Sequence, residues 1–194
     1  MTLEELNKQI KTGALKPIYF FYGEEQYLLR NKLAAMEKKL VTPGTEAFNR
    51  FYFEGKKLDV EAILETVEQF PQMSQRKIVV VKNSGFFHQT NCREYKRIAA
   101  AAEDLPDYSC LVFVEDAFDR KKLKNLKFIE ENGGVVEFSL MPVNKVEIWL
   151  EERFRKEEKQ IAPKELSYMI QRCGLSLEKI ELEYRKLINY LGER

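Results

Sequence analysis

Residues 70–83 read Phe70-Pro71-Gln72-Met73-Ser74-Gln75-Arg76-Lys77-Ile78-Val79-Val80-Val81-Lys82-Asn83, and the two halves ask for different structures. Ile78 to Val81 is an unbroken β-branched run, the signature of a strand buried on both faces of a parallel sheet. Pro71 disfavours helix at Phe70, so a helix must end there and a connection begin. Connections run over the surface, yet Phe70 and Met73 are apolar. Two readings stay open. Either both side chains tuck under the sheet as ordinary core, or they form a binding tip held on a rigid scaffold.

The segments before this stretch read as alternating strands and helices. Thr2 with Glu5 is a capping-box signal for a short helix over 2–12, carrying Leu3, Leu6 and Ile10 on one side. Pro17 opens a buried strand, Ile18 to Tyr22, closed by Gly23, and a helix follows to about Leu40. In a nucleotide-binding α/β protein this first strand-to-helix turn carries a phosphate loop, with glycines for backbone approach and a lysine for the phosphates. Here Gly23 is followed by Glu24 and Glu25, whose charge would repel a polyphosphate, and no Gly-Lys-Ser/Thr occurs in the chain. ATP or GTP hydrolysis is not expected. Residues 41–48 read as a loop and 49–54 as a second strand. Asp59 then caps a helix with Val60, Ile63, Leu64 and Val67, which runs up to the Phe70-Pro71 break.

Beyond the stretch, residues 91–103 read as an alanine-rich helix and Cys110 to Val114 as another buried strand, ending in Glu115 and Asp116. Acids after an apolar strand resemble a magnesium-holding Walker B strand, but carboxylates at strand ends are common. Asp119 reads as the cap of a basic helix carrying Arg120, Lys121, Lys122, Lys124 and Lys127, ended by Gly133-Gly134, with a fifth strand at 135–138. That lysine cluster is either a solvated face or a contact for nucleic-acid phosphate. From Val143 on, only helical periods occur, over 143–159, 163–173 and 177–191. The βαβαβαβαβ order predicts an α/β fold, a five-stranded mostly parallel sheet with helices on both faces, followed by a small three-helix module. The domain boundary is expected at 141/142.

The whole chain narrows the function classes. At 194 residues with 44% hydrophobic content it can bury a real core, and 32 basic against 31 acidic residues give no bulk field toward nucleic acid or membrane. Three cysteines, Cys92, Cys110 and Cys173, form no CxxC pair, and His88 is the lone histidine, so no zinc site is expected. Buried, reduced thiols in a cytoplasmic protein are the expectation, with no cofactor and no metal. No apolar run approaches a membrane span, and no GxSxG, HExxH or Cys-His arrangement suggests catalysis.

Several of these stretches, taken together, resemble one family. Pro17-Ile18-Tyr19-Phe20-Phe21-Tyr22-Gly23-Glu24-Glu25 is similar to the P-x-Y-L-x-Y-G-x-E opening of the delta subunit of bacterial DNA polymerase III, the clamp-loader wrench. Residues 70–81 resemble its P-F-F-S-x-R-R-h-V-V-V stretch. Cys110 to Asp116 with Asp119-Arg120-Lys121-Lys122-Leu123 resembles its late strand and D-x-R-K-K-L helix. Gly174-Leu175-Ser176-Leu177 to Tyr190 resembles its lid helix, with Glu183, Lys186 and Leu187 in place. Order and spacing cover nearly the whole chain.

The resemblance implies an AAA+-like fold without a phosphate loop and a subunit with no catalysis of its own within the DNA polymerase III holoenzyme. It implies binding and opening of the β sliding clamp during DNA replication. The partners would be the tau/gamma ATPase and delta-prime subunits and primed DNA, with the former two joined through a C-terminal collar domain that this chain ends before. The implied clamp contact is Phe70, Pro71, Gln72 and Met73, in which the apolar pair of the family falls on Gln72 and Met73. Gln72 departs from the usual aromatic or leucine, and Phe70 is the candidate to supply the missing bulk. Two other classes compete: an atypical nucleotide hydrolase using Glu115 and Asp116, and a nucleic-acid-binding module using Arg120 to Lys127.

Overall fold

The computed structural model describes residues 1–192, which divide into two compact units, 1–138 and from Ser139 onward. In the first unit the chain runs α1 (Leu3–Thr12), β1 (Ile18–Tyr22), α2 (Gln26–Leu40), α3 (Glu46–Asn49), β2 (Arg50–Glu54), α4 (Val60–Glu68), β3 (Lys77–Lys82), α5 (Arg93–Ala101), β4 (Ser109–Glu115), α6 (Lys127–Asn132) and β5 (Gly134–Glu137). The strands form one sheet in the order β2-β3-β4-β1-β5, and every pairing is parallel.

Side chains of successive strand residues point to opposite faces, and both faces here are apolar. Phe20, Val79, Val81, Leu111 and Phe113 pack under α4, α5 and α6 through Ile63, Leu64, Val67, Ile98 and Ile129. Tyr19, Phe21, Ile78, Val80, Cys110 and Val112 pack under α1 and α2 through Leu6, Leu29, Leu33 and Met36. That double burial is why Ile78 to Val81 had to be an uninterrupted apolar run. β2, on an edge, alternates instead: Phe51 and Phe53 pack on the α4 side, and Tyr52 is exposed with its hydroxyl on the Glu37 carboxylate.

The structure corrects several expectations. The segment 41–48 is not wholly loop, because α3 occupies its end. The basic helix after Asp119 is a 3₁₀ tract, Arg120–Leu126, and only Lys127–Asn132 is α-helical. Asp119 caps it as expected, accepting from the Lys121 amide at 2.9 Å. Of the three thiols only Cys110 is buried, and its burial pushes the thiol up to about 12; Cys92 and Cys173 are half-exposed. The capping box at Thr2 and Glu5 forms, with Gly13 ending α1 in the left-handed region at φ 79°.

The second unit contains α7 (Val143–Lys156), α8 (Pro163–Cys173) and α9 (Leu177–Leu191). Its core is Val146, Leu150 and Phe154 against Leu166, Met169, Ile170, Leu177, Ile180 and Tyr184. α7 and α9 are also tied by the buried Glu181 carboxylate, which accepts from Arg153 and, at 2.8 Å, from Arg185. Among the described residues no helix is long and apolar enough to cross a membrane.

Candidate functional site

The connection from α4 to β3 is built from its helix end upward. A helix leaves its last carbonyls without partners, and here side chains from the starts of β3 and β4 take them. The Lys77 ammonium donates to the carbonyls of Thr66 and Gln69. Ser109 Oγ donates to Val67 O at 2.6 Å, and the Tyr108 hydroxyl to Glu68 O at 2.7 Å. A cation at this end also complements the helix dipole. Lys77 is nevertheless almost wholly buried, and desolvation pulls its ammonium down to about 8. Its Nζ lies 5.9 Å from the Tyr108 ring centre and 6.0 Å from that of Phe51, close enough for cation–π attraction to offset part of that penalty.

From this anchored end the chain emerges as Phe70 to Arg76. Phe70 is 78% exposed and Met73 75% exposed. The reading that tucked them under the sheet does not hold: Val67, Lys77 and Ser109 are the buried residues at this end of α4, and both side chains stay outside. Phe70 leans on Tyr108, ring centres 4.9 Å apart, which leaves the outer face of its ring open. Pro71 is half-buried and Gln72 exposed. Met73 has φ 53°, the left-handed region that a residue with a Cβ rarely enters.

Two latches hold that conformation. On one side, Gln72 N donates to Asn49 Oδ1 at 2.8 Å, and Asn49 Nδ2 donates to Gln72 O at 2.7 Å. On the other, Thr42 N donates to Ser74 Oγ at 3.1 Å, while Ser74 Oγ donates to Arg76 O at 2.8 Å. The loop therefore exposes Phe70 and Met73 while Gln72, through its backbone, and Ser74, through its hydroxyl, are tied down. Sequence reasoning singled out Phe70, Pro71, Gln72 and Met73 but missed Asn49, Lys77, Ser74, Thr42 and Tyr108. Only Lys77 carried a signal, as a cation set directly against an apolar strand.

The basic residues lie elsewhere. They follow β4, beyond the C-terminal ends of the strands, whereas the loop leads into the N-terminal end of β3. Arg120 is paired with Glu137, Nε at 3.0 Å. Lys121 and Lys124 are exposed and Lys122 half-buried, lining an open recess with His88, Asn91 and Asn125. His88 stacks near Phe118, ring centres 5.4 Å apart.

The two places that the sequence offers for phosphate and magnesium, the turn after β1 and the acids after β4, make bonds within the fold. β1 passes to α2 in three residues, Gly23 to Glu25, too few for a phosphate cradle. A Cβ on Gly23 would lie 2.3 Å from Phe138 O, and the Glu25 amide already donates to that same carbonyl at 2.9 Å. At the end of β4, Glu115 accepts from Gly85 N at 2.8 Å and Ser84 Oγ at 3.1 Å, and burial raises its carboxyl above the usual range. Asp116 exchanges hydrogen bonds with the Asn83 side chain. Both acids serve the turn after β3. Among the described residues no three His, Cys, Asp or Glu side chains come together as metal ligands.

A parallel sheet of this order, covered on both faces and lacking a phosphate-binding turn, is an AAA+-like α/β fold, here carrying an exposed apolar loop. Solved structures agree: Thermotoga maritima RuvB, a Holliday junction branch migration motor, superposes over 97% of this chain and 63% of its own with a TM-score of 0.52 at 11% identity. The DNA clamp loader delta protein of Bacillus subtilis covers 98% of this chain and 58% of its own, with a TM-score of 0.77 at 22% identity. The chain belongs to the family DNA polymerase III, delta subunit, whose family model matches residues 19–139. The B. subtilis DNA polymerase III subunit delta is 25% identical over 96% of this chain and 56% of its own length. A probable DNA polymerase III subunit delta of Aquifex aeolicus is 23% identical over 95% and 54%. The chain thus spans little more than half the length of these relatives.

Proposed function

We propose that this chain is the clamp-engaging portion of a clamp-loader delta subunit, binding the β sliding clamp and helping to open it by binding energy alone. The observation that carries the reading is the pairing of exposure with rigidity. Phe70 and Met73 stand more than 70% exposed on a loop held through the Gln72 backbone on one side and the Ser74 side chain on the other. A mobile loop would lose entropy on docking; this one is ordered before it meets a partner. Met73 is flexible and polarisable, suited to an apolar pocket, and burying a side chain of this size contributes about 1.5–3 kcal/mol. Phe70 supplies the bulk that Gln72 lacks, and a few such anchors can dominate an interface.

In this proposal ATP-driven tau/gamma and delta-prime subunits control access to the tip, and primed DNA joins in the assembled loader. The chain itself turns over no nucleotide. The recess bearing Lys121, Lys122 and Lys124 supports a subsidiary reading as a phosphate contact for that DNA. Charge reversal at Lys121 and Lys124 should then reduce the salt dependence of DNA affinity and leave clamp affinity unchanged. Titration of the cognate β clamp with the chain tests the main reading: binding at micromolar or better supports it, and no binding by a well-folded chain counts against it.

A further inference from the structure

The tip carries a second layer of design, and it lies in a residue that touches no partner. Asn49 is fully buried at the end of α3, 23 residues before Gln72 in sequence. Three hydrogen bonds hold its amide: Nδ2 donates to Gln72 O at 2.7 Å and Thr45 O at 3.0 Å, and Oδ1 accepts from Gln72 N at 2.8 Å. Toward Gln72 the side chain acts as a strand neighbour would, accepting one N–H and donating to one C=O of the same residue. A buried amide bonded on both its nitrogen and its oxygen is held in place, and one left with no partner is costly.

The consequence falls on the next residue. Gln72 is clamped through its backbone by Asn49, and the Ser74 hydroxyl bonds Thr42 N and Arg76 O, so Met73, at φ 53°, lies between a fixed peptide and a tethered side chain. A left-handed non-glycine residue persists only where its surroundings over-determine it. We propose that Asn49 is a positioning residue for the clamp contact: it fixes the Gln72 peptide so that the Met73 side chain is already presented to the partner. This inference rests on the clamp-binding reading above.

The test combines amide exchange with a mutant cycle on the whole chain. In Asn49→Ala the Gln72 amide should lose protection while the β3 amides of Ile78 to Val81 keep theirs, which shows that the sheet is intact. Affinity for the cognate β clamp should fall tenfold or more. In the Phe70→Ala/Met73→Ala background the same Asn49→Ala change should produce no further loss, because Asn49 acts through those side chains. Asn49→Asp, which keeps an acceptor for Gln72 N but turns a second oxygen toward the Gln72 and Thr45 carbonyls, should lose at least as much affinity as Asn49→Ala. Wild-type affinity in Asn49→Ala with the Gln72 amide released would overturn the inference, as would an equal loss in the background lacking both anchors. If Asn49→Ala and Asn49→Asp both lose β3 protection, Asn49 is a core residue and the positioning role is wrong. If instead Phe70→Ala and Met73→Ala bind as tightly as wild type, the clamp reading itself fails and takes this inference with it.

Discussion

At Met73 backbone stability is set against the contact proposed for its side chain. Its left-handed backbone carries about 1–2 kcal/mol of strain for a side chain with a Cβ, while its side chain is, with that of Phe70, one of the loop's two exposed apolar groups. Met73→Gly should therefore raise the melting temperature or leave it level, because glycine enters that region freely, and should weaken clamp binding tenfold or more. Lys77 behaves in the opposite way. Lys77→Met leaves the Thr66 and Gln69 carbonyls without a donor, and thermal or urea unfolding should show a loss of about 1–3 kcal/mol. Lys77 also sets a pH dependence. Its folded-state value is pulled from 10.5 to about 8, so between those pH values the folded chain holds fewer protons than the unfolded one. Stability from this group then rises as pH increases from about 8 to about 10.5. Comparing wild-type and Lys77→Met unfolding curves across that range isolates the effect: the difference should move in favour of wild type as pH rises.

At the scale of elements, the turn from β1 to α2 is where the proposed binding subunit and a nucleotide hydrolase would differ. Gly23 sits at φ 133° with Phe138 O in the space a side chain would need. Gly23→Ala must push these two strands' ends apart, and the expected outcome is a strongly destabilised or insoluble protein. With that turn closed against the Phe138 segment, ATP with magnesium should produce no shift in thermal unfolding; a magnesium-dependent rise would reopen the hydrolase reading. Much of this layer was legible in the sequence. Ile18 to Tyr22, Ile78 to Val81 and Cys110 to Val114 declared themselves as two-faced strands because burial on both sides demands continuous apolar runs. The 3₁₀ tract at Arg120–Leu126 was not legible, since its apolar Leu123 and Leu126 also fit a helical period. Nor was the exposure of Phe70 and Met73, because apolar residues at a helix end fit a core as readily as a surface, and the bonds that place this loop come from residues distant in sequence. Asn49 was hidden for the same reason. Its partner lies 23 residues away, and no local pattern marks a side chain that bonds across such a gap.

Over the whole molecule, the charge balance and the placement of the two candidate surfaces favour specific protein contact over general attraction to nucleic acid. With 32 basic and 31 acidic residues the chain has no long-range field to recruit DNA. The apolar loop leads into the N-terminal end of β3, while the exposed lysines lie past the C-terminal end of β4, so one sheet separates the surface proposed for the clamp from the one proposed for phosphate. Each can be altered without disturbing the other. The central claim concerns the first, and calorimetric titration of the cognate β clamp with wild type, Phe70→Ala and Met73→Ala tests it most directly. Micromolar or tighter binding by wild type, weakened at least tenfold (~1.4 kcal/mol) in each variant with melting temperatures unchanged, is the predicted result. Equal affinity of all three folded proteins for the clamp would contradict it.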